Sequence, residues 1–195
     1  MSVSVSDQYR YILGIDVAVT KDIWLALVCV ETGALIESYH DKYWELGPLL
    51  REMHEKHGAP YAIYIEHAPG NGPIPQQLRG PFNGIVAALK GQWKGIRPNR
   101  IMAKTWQANL GYNDLKPMFK DCDQPTKEFS KFIFKERFGY DAANDDEADS
   151  AGVATCGRML EGIKSLAKSD ERKRKPRGKS KWSKKDADII QRRNG

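Results

Sequence analysis

The chain opens with three short apolar segments that have the character of strands. Tyr9 to Val19 is a nearly continuous apolar run, which is typical of a buried strand. Ile23 to Val30 is a second such run and begins just after the turn-like Thr20-Lys21-Asp22. Thr32-Gly33 then makes a tight connection to a third run around Ala34 to Tyr39. Because connections this short join antiparallel neighbours, the pattern predicts a three-stranded antiparallel meander.

Helical and strand-like segments alternate along the rest of the chain. The predicted elements are a helix over Leu46 to His57, a strand over Tyr61 to Ile65, a helix from about Ile74 to Leu89, a short strand near Gly95 to Pro98, and helices over Met102 to Leu110, Lys127 to Arg137 and Asp145 to Ile163. Strands that alternate with helices favour an α/β fold, here a central mixed five-stranded sheet flanked by helices.

Four carboxylates stand at conspicuous places in this pattern. Asp16 interrupts the first apolar strand, where a buried charge costs several kcal/mol in rough terms unless a cation or hydrogen bonds compensate it. Glu66 ends the fourth strand, and ligand sites form at the carboxyl ends of strands in open α/β sheets. Asp146 and Asp149 are three residues apart on one face of the last helix. Clustered carboxylates suit hard divalent cations such as Mg²⁺, and two such ions can support phosphodiester cleavage.

Each acid also has an ordinary structural explanation. A lone strand Asp can occupy an edge or a turn, and a terminal Glu can simply face solvent. Asp145-Asp146-Glu147 can cap a helix and oppose its dipole. The conjunction of all four at these element ends is what favours a metal site.

Charge is distributed unevenly along the 195 residues. Residues 1–163 carry 18 Lys and Arg against 21 Asp and Glu, a net of −3, whereas residues 164–195 carry 13 against 4, a net of +9. We therefore expect one domain over residues 1–163 and a basic, disordered tail over residues 164–195 that either binds polyanions or only aids solubility. Three widely spaced cysteines, no long apolar run and no signal-peptide layout favour a protein of a reducing, intracellular compartment.

Three segments resemble the motifs of the RuvC family of Holliday junction resolvases, which have a ribonuclease H-like fold. They are Ile12-Leu-Gly-Ile-Asp16, Ile63-Tyr-Ile-Glu66 and Asp146-Glu-Ala-Asp149-Ser-Ala-Gly-Val-Ala154. The helix Arg79 to Ala88 and the segments Ile96-Arg-Pro98 and Ala103 to Gln107 also resemble phage-encoded members. The resemblance covers about residues 10 to 160 and implies that Asp16, Glu66, Asp146 and Asp149 are the metal ligands, with Asp145 as the competing position for Asp146.

The same resemblance implies a catalytic lysine on the helix before the last motif. Lys127 is in the matching place, with Lys131 one turn further as the alternative. A cation there can stabilise charge on the phosphate in the transition state. One departure concerns the loop after Glu66, which carries an aromatic wedge in bacterial resolvases but has none between His67 and Pro73 here.

Basic residues near two tryptophans are candidates for DNA contact. They are Lys90, Lys94, Arg97, Arg100, Lys104, Lys116 and Lys120, and they are interleaved with Trp93 and Trp106. The tryptophans are more often core residues than stacking surfaces, and His67 is more often a spectator than a DNA contact.

The expected function is that of a homodimeric resolvase that nicks four-way or branched DNA with two Mg²⁺ ions, or with Mn²⁺ in their place. We expect it in the cytoplasm of a bacterial or phage-infected cell, or in the nucleus of a eukaryotic host, where the tail would serve as an import signal. Two alternatives stay open: another ribonuclease H-like nuclease or a recombinase or transposase catalytic domain, and a non-catalytic nucleic-acid-binding module.

Overall fold

Five strands form one mixed sheet in the computed structural model, which describes residues 10–17, 22–67 and 76–173. The strands are β1 (Tyr11–Asp16), β2 (Ile23–Cys29), β3 (Leu35–Asp41), β4 (Ala62–His67) and β5 (Asn99–Met102). They lie in the order β3-β2-β1-β4-β5. The meander β1-β2-β3 is antiparallel, and β4 pairs in parallel with both β1 and β5. The predicted α/β architecture is confirmed.

Helices cover both faces of this sheet. They are α1 (Leu46–His57), α2 (Gln76–Gln92), α3 (Ala103–Asn109), α4 (Tyr112–Leu115), α5 (Pro125–Phe138) and α6 (Asp145–Lys173). Two short 3₁₀ turns, Tyr43–Glu45 and Lys116–Phe119, precede α1 and follow α4. Within the described ranges no helix is long and apolar enough to cross a membrane.

Alternation along the strands decides which face each side chain takes. Leu13 and Ile15 of β1 pack in one core cluster with α1 and α2, whereas Ile12 packs in another with α3, α5 and α6. In β4, Ile63 and Ile65 join the first cluster and Tyr64 the second. Because side chains alternate with a period of two, the next even position on each strand faces the side of α6. Those positions are Asp16 and Glu66.

Glycine lies at three close contacts of helix α6, two with the sheet and one with α3. A Cβ added to Gly14 of β1 would come within 3 Å of the backbone of Ser150 and Ala154. Added Cβ atoms at Gly152 and Gly157 would likewise meet the rings of Trp106 and Tyr64 within 3 Å. Glycine therefore fixes the distance between α6 and the central strand, and with it the distance between their acids.

Several sequence-based boundaries need correction. Asp16 is the last residue of β1, not an interior residue. The fifth strand lies at Asn99–Met102 instead of Gly95 to Pro98, because Gly95 has a φ of 94° and Pro98 lacks an N–H, so this segment turns. The helix predicted from Met102 accordingly begins at Ala103.

The last helix is longer than predicted. It continues to Lys173, ten residues beyond Ile163, because residues 164–173 contain neither Gly nor Pro to end the helix. The first ten residues of the predicted basic tail therefore belong to α6. The chain divides into two compact units, one up to Leu160 and one from Glu161. The domain limit at residue 163 stays a prediction, and residues 68–75 and 174–195, with most of the predicted loop and tail, lie outside the described residues.

Candidate metal centre

Asp16 and Glu66 lie side by side at the carboxyl ends of two neighbouring strands. In the parallel pair β1-β4, Ile15 is opposite Ile65, and Asp16 and Glu66 are the next residues along their strands. Neighbouring strands are about 4.8 Å apart, so the two carboxylates leave the sheet at adjacent points of the same face.

The start of α6 is fixed at this end of the strands by its own capping interactions. The Glu147 N–H donates to Asn144 Oδ1 at 2.9 Å, and the Ala143 N–H donates to Glu147 Oε2 at 2.7 Å. The Ser38 hydroxyl of β3 donates to the other oxygen of Glu147. Because Glu147 is 6% exposed and fully bonded, it is a structural acid, and the first turn of α6 presents Asp146 and Asp149 toward β1.

The pKa of Asp16 is affected by the other three acids of the predicted set. Burial raises its pKa well above the ordinary value, and the charges of Glu66, Asp149 and Asp146 raise it further. The Lys127 ammonium group lowers it in opposition. Carboxylates influence one another in this way only when they are close, so these acids from two strands and one helix form one cluster.

The pKa values of two other acids in the cluster are also raised. Burial raises the pKa of Asp149 to about 7, opposed by a hydrogen bond with Ser130 and by the charge of Lys127, while the Glu66 and Asp146 charges raise it. Burial also raises the pKa of Glu66, and a hydrogen bond from Trp106 lowers it.

Lys127 and Asp145 occupy the rim of the cluster. The Lys127 ammonium group makes an ion pair with Asp145, and its charge lowers the pKa of both Asp16 and Asp149. Lys131 instead pairs with Glu128 on its own helix at 3.4 Å. Asp145 and Asp146 compete for one ligand position. The charge of Asp146 raises the pKa of Asp16, whereas Asp145 forms an ion pair with Lys127.

Trp106 joins three parts of the site. Its indole N–H donates to Glu66 Oε2 at 2.7 Å, and its ring packs against Gly152 of α6. Since Trp106 is fully buried, its ring is a core residue that also orients an acid, and it is not a surface for stacking DNA bases. Trp93, at 3% exposed, is also a core residue.

The cluster fits a divalent cation in its chemistry. Asp149 Oδ1 is buried without a hydrogen-bond partner, and a buried carboxylate oxygen in that state costs free energy unless a cation satisfies it. Oxygen donors in a negatively charged cluster are what Mg²⁺ or Mn²⁺ prefers. In the part of the chain that the structure describes, no three His, Cys, Asp or Glu side chains form a closed ligand set, so the acids would have to move closer around an ion.

Two open grooves meet at Asp145. One, of about 500 Å³, runs along the meander side and is lined by Trp24, His40, Lys42, Asp145 and Asp146 among others. The other, of about 580 Å³, runs along α5 past Lys127 and Lys131. Both grooves carry basic side chains beside acidic ones: Lys127 and Lys131 in the larger, and Lys42 in the smaller.

Comparison with known proteins bears on the fold. No protein-family model and no curated protein matches the chain. Among solved structures, it is similar to T. thermophilus RuvC in complex with a Holliday junction substrate, with a TM-score of 0.61 and 12% identity over 80% of this chain and 96% of that one. The chain has the RuvC fold. A second T. thermophilus RuvC structure matches with a TM-score of 0.57 and 13% identity, covering 79% of this chain and 96% of that one. The Fowlpox virus Holliday junction resolvase follows with a TM-score of 0.42, 15% identity, and coverage of 80% and 99%.

The RuvC fold confirms the predicted ribonuclease H-like architecture. The other four predicted site residues, Glu66, Asp146, Asp149 and Lys127, lie near enough to Asp16 for their charges to act on its carboxyl group. Sequence reasoning missed Ser130, which contacts Asp149, and Trp106 as the partner of Glu66. The position of Ser130 one turn after Lys127 was a usable signal, whereas no sequence pattern couples Trp106 to Glu66.

Proposed function

We propose that this protein is a Holliday junction resolvase: an endodeoxyribonuclease that nicks four-way or otherwise branched DNA. The observation that supports this most strongly is the four-carboxylate cluster at the end of β1, the end of β4 and the start of α6, on the fold of a nuclease whose structure holds a Holliday junction. Buried acids that raise one another's pKa cost folding free energy, and a catalytic cation is the simplest reason to keep them.

In this proposal Asp16, Glu66, Asp146 and Asp149 hold two Mg²⁺ ions, which Mn²⁺ can replace. When bound, such ions lower the pKa of water and stabilise the leaving oxygen in phosphodiester hydrolysis. Trp106 keeps Glu66 in position through its N–H bond, and Ser130 lies next to Asp149. Lys127 leaves Asp145 when a phosphate arrives and places its ammonium group beside the developing negative charge.

The DNA path follows from the grooves on either side of the cluster. Lys42 in one groove, and Lys127 and Lys131 in the other, offer backbone contacts on opposite sides of the acids. A homodimer belongs to the same proposal, because two nicks related by a two-fold axis resolve a symmetric junction.

A substrate panel tests this function. Purified protein is incubated with a labelled four-way junction, the matching duplex and an RNA–DNA hybrid, each with Mg²⁺ or with chelator. We expect paired nicks in the junction alone, which disappear with chelator and in Asp16→Asn while junction binding persists. Glu55→Gln serves as the control, since Glu55 is exposed on α1 at the opposite face of the sheet. Cleavage of the hybrid would reassign the substrate, and binding without any cleavage would leave only a nucleic-acid-binding module.

A further inference from the structure

An exposed aromatic pair lies at the same end of the strands as the carboxylates. Trp44 is 64% exposed and Tyr43 is 38% exposed, and their rings are in edge-to-face contact at 5.2 Å. Large aromatic rings bury well over 100 Å² when covered, so leaving two of them adjacent in water is unfavourable unless something binds them. The pair occupies the 3₁₀ turn between β3 and α1.

Strand register gives the position of this pair relative to the acids. Asp16 is directly opposite Trp24 in β2, and Trp24 is opposite His40 in β3. This row therefore crosses the sheet from the carboxylate cluster to the end of β3. The Trp24 and His40 rings stack at 4.6 Å with an angle of 14° between their planes. Only Asp41 and Lys42 separate His40 from the aromatic pair.

A groove at this end of the strands reaches Lys42, the residue that precedes the aromatic pair. The Trp24–His40 stack, Lys42 and the two acids at the start of α6 line it together. Lys42 is ion-paired with Asp22 and half-exposed, so its ammonium group is accessible to a phosphate. Continuing along the chain from Lys42 leads directly to Tyr43 and Trp44. A basic side chain followed by exposed aromatic rings is the combination that binds an unstacked nucleotide: the cation takes the phosphate and the ring takes the base.

We propose that Trp44, supported by Tyr43, stacks on a base released from pairing at the branch point of the DNA substrate. This inference rests on the proposed function, because it takes the substrate to be branched DNA. Bases at a branch point have lost a regular stacking neighbour, so unstacking them costs less than within a duplex. The site would therefore contribute to the preference for branched over linear DNA, from a different loop than the aromatic-free one after Glu66.

Tyr61, another exposed aromatic in the described part of the chain, does not share this placement. Tyr61 is 45% exposed, but it precedes β4 and so lies at the opposite edge of the sheet from Glu66. Its ring is covered by the Arg10 guanidinium at 5.3 Å. Tyr61→Ala is for that reason a matched control for the loss of an exposed aromatic side chain.

The test measures binding apart from cleavage. In an Asp16→Asn background, fluorescence anisotropy gives the affinity for a labelled four-way junction and for the matching duplex. Trp44→Ala should weaken junction binding about tenfold, as the loss of one base–aromatic stack does, and leave duplex binding unchanged. Trp44→Phe should recover most of the loss, and Tyr61→Ala should have no effect. Tryptophan emission supplies a second readout: junction binding should quench a component that is absent in the Trp44→Phe protein.

Three results would overturn the inference. The first is equal junction affinity of Trp44→Ala and its parent. The second is an equal loss on junction and duplex. The third is a change of oligomeric state of Trp44→Ala in analytical ultracentrifugation, which would make the pair an interface between two copies of this chain. A parent protein that does not prefer the junction to the duplex would overturn the proposed function together with this inference, whereas a selective parent matched by Trp44→Ala overturns the inference alone.

Discussion

Replacing Asp149 by Asn should stabilise the metal-free protein at alkaline pH. Burial, with the nearby charges of Glu66 and Asp146, raises the pKa of this carboxyl from 3.8 to about 7. A group whose pKa is higher in the folded state favours folding when protonated and opposes it when ionised. The cost is absent below pH 3.8, grows as the pH rises toward 7, and is complete above 7.

The size of the effect follows from that difference in pKa. A rise from 3.8 to about 7 corresponds to about 4 kcal/mol, at about 1.36 kcal/mol for each pH unit. Asn removes the charge and keeps the size. We therefore expect the free energy of unfolding of Asp149→Asn in chelator to exceed that of the native sequence by a few kcal/mol at pH 8 and to match it near pH 3.5.

Urea denaturation followed by circular dichroism, across this pH range and with chelator present, measures the difference. A titration with Mg²⁺ at pH 8 completes the assay: the native sequence should gain stability, and Asp149→Asn should gain much less. A variant that is less stable at pH 8, or a difference that does not change with pH, would refute the electrostatic account of the cluster. Asp141→Asn, which removes an exposed acid paired with Lys135, should behave like the native sequence throughout.

Three further predictions concern the packing and charge around the cluster. Gly14→Ala places a Cβ within 3 Å of the backbone of α6, so we expect a loss of about 1–3 kcal/mol of stability. Because the acids would be displaced, cleavage in single-turnover assays should also be about 100-fold slower. Gly84→Ala, where the added Cβ meets open space, should leave stability and cleavage intact, and equal behaviour of the two variants would contradict the proposed role of Gly14. Trp106→Phe removes the N–H that lowers the pKa of Glu66, so the acidic limb of the pH–rate profile should move to higher pH, and an unshifted profile would mean that Glu66 does not depend on this bond. Lys127→Met should slow cleavage at saturating junction by about 100-fold, which is the usual effect of removing one charge-stabilising group. Lys131→Met should change the rate little. The reverse order would assign the catalytic lysine to position 131.

Local patterns were sufficient to predict the first four strands, most helices and the places of the four acids near element ends. Alternation in β1 and β4 determines the face on which Asp16 and Glu66 emerge, and helical spacing brings Asp146 and Asp149 together. These signals depend on near neighbours in the sequence, which is why a single chain reveals them.

Long-range contacts were beyond the same reasoning. The bond from Trp106 to Glu66 joins residues 40 positions apart, and no periodicity encodes it. The contact of Gly14 with α6 depends on how a helix more than 130 residues later lies on the sheet. The early end of β1 at Asp16 and the displaced β5 depend on where pairing stops, which a run of apolar residues does not specify.

Direct measurement of divalent-ion binding tests the central claim, that the four acids form a metal site. Titrating Mn²⁺ into the protein, with free ion followed by electron paramagnetic resonance, gives the number of ions bound and their affinity. We predict two bound ions for the native sequence, weaker binding for Asp16→Asn and for Asp149→Asn, and unchanged binding for Asp141→Asn. Equal binding by all four proteins, or none by the native sequence, would contradict the account.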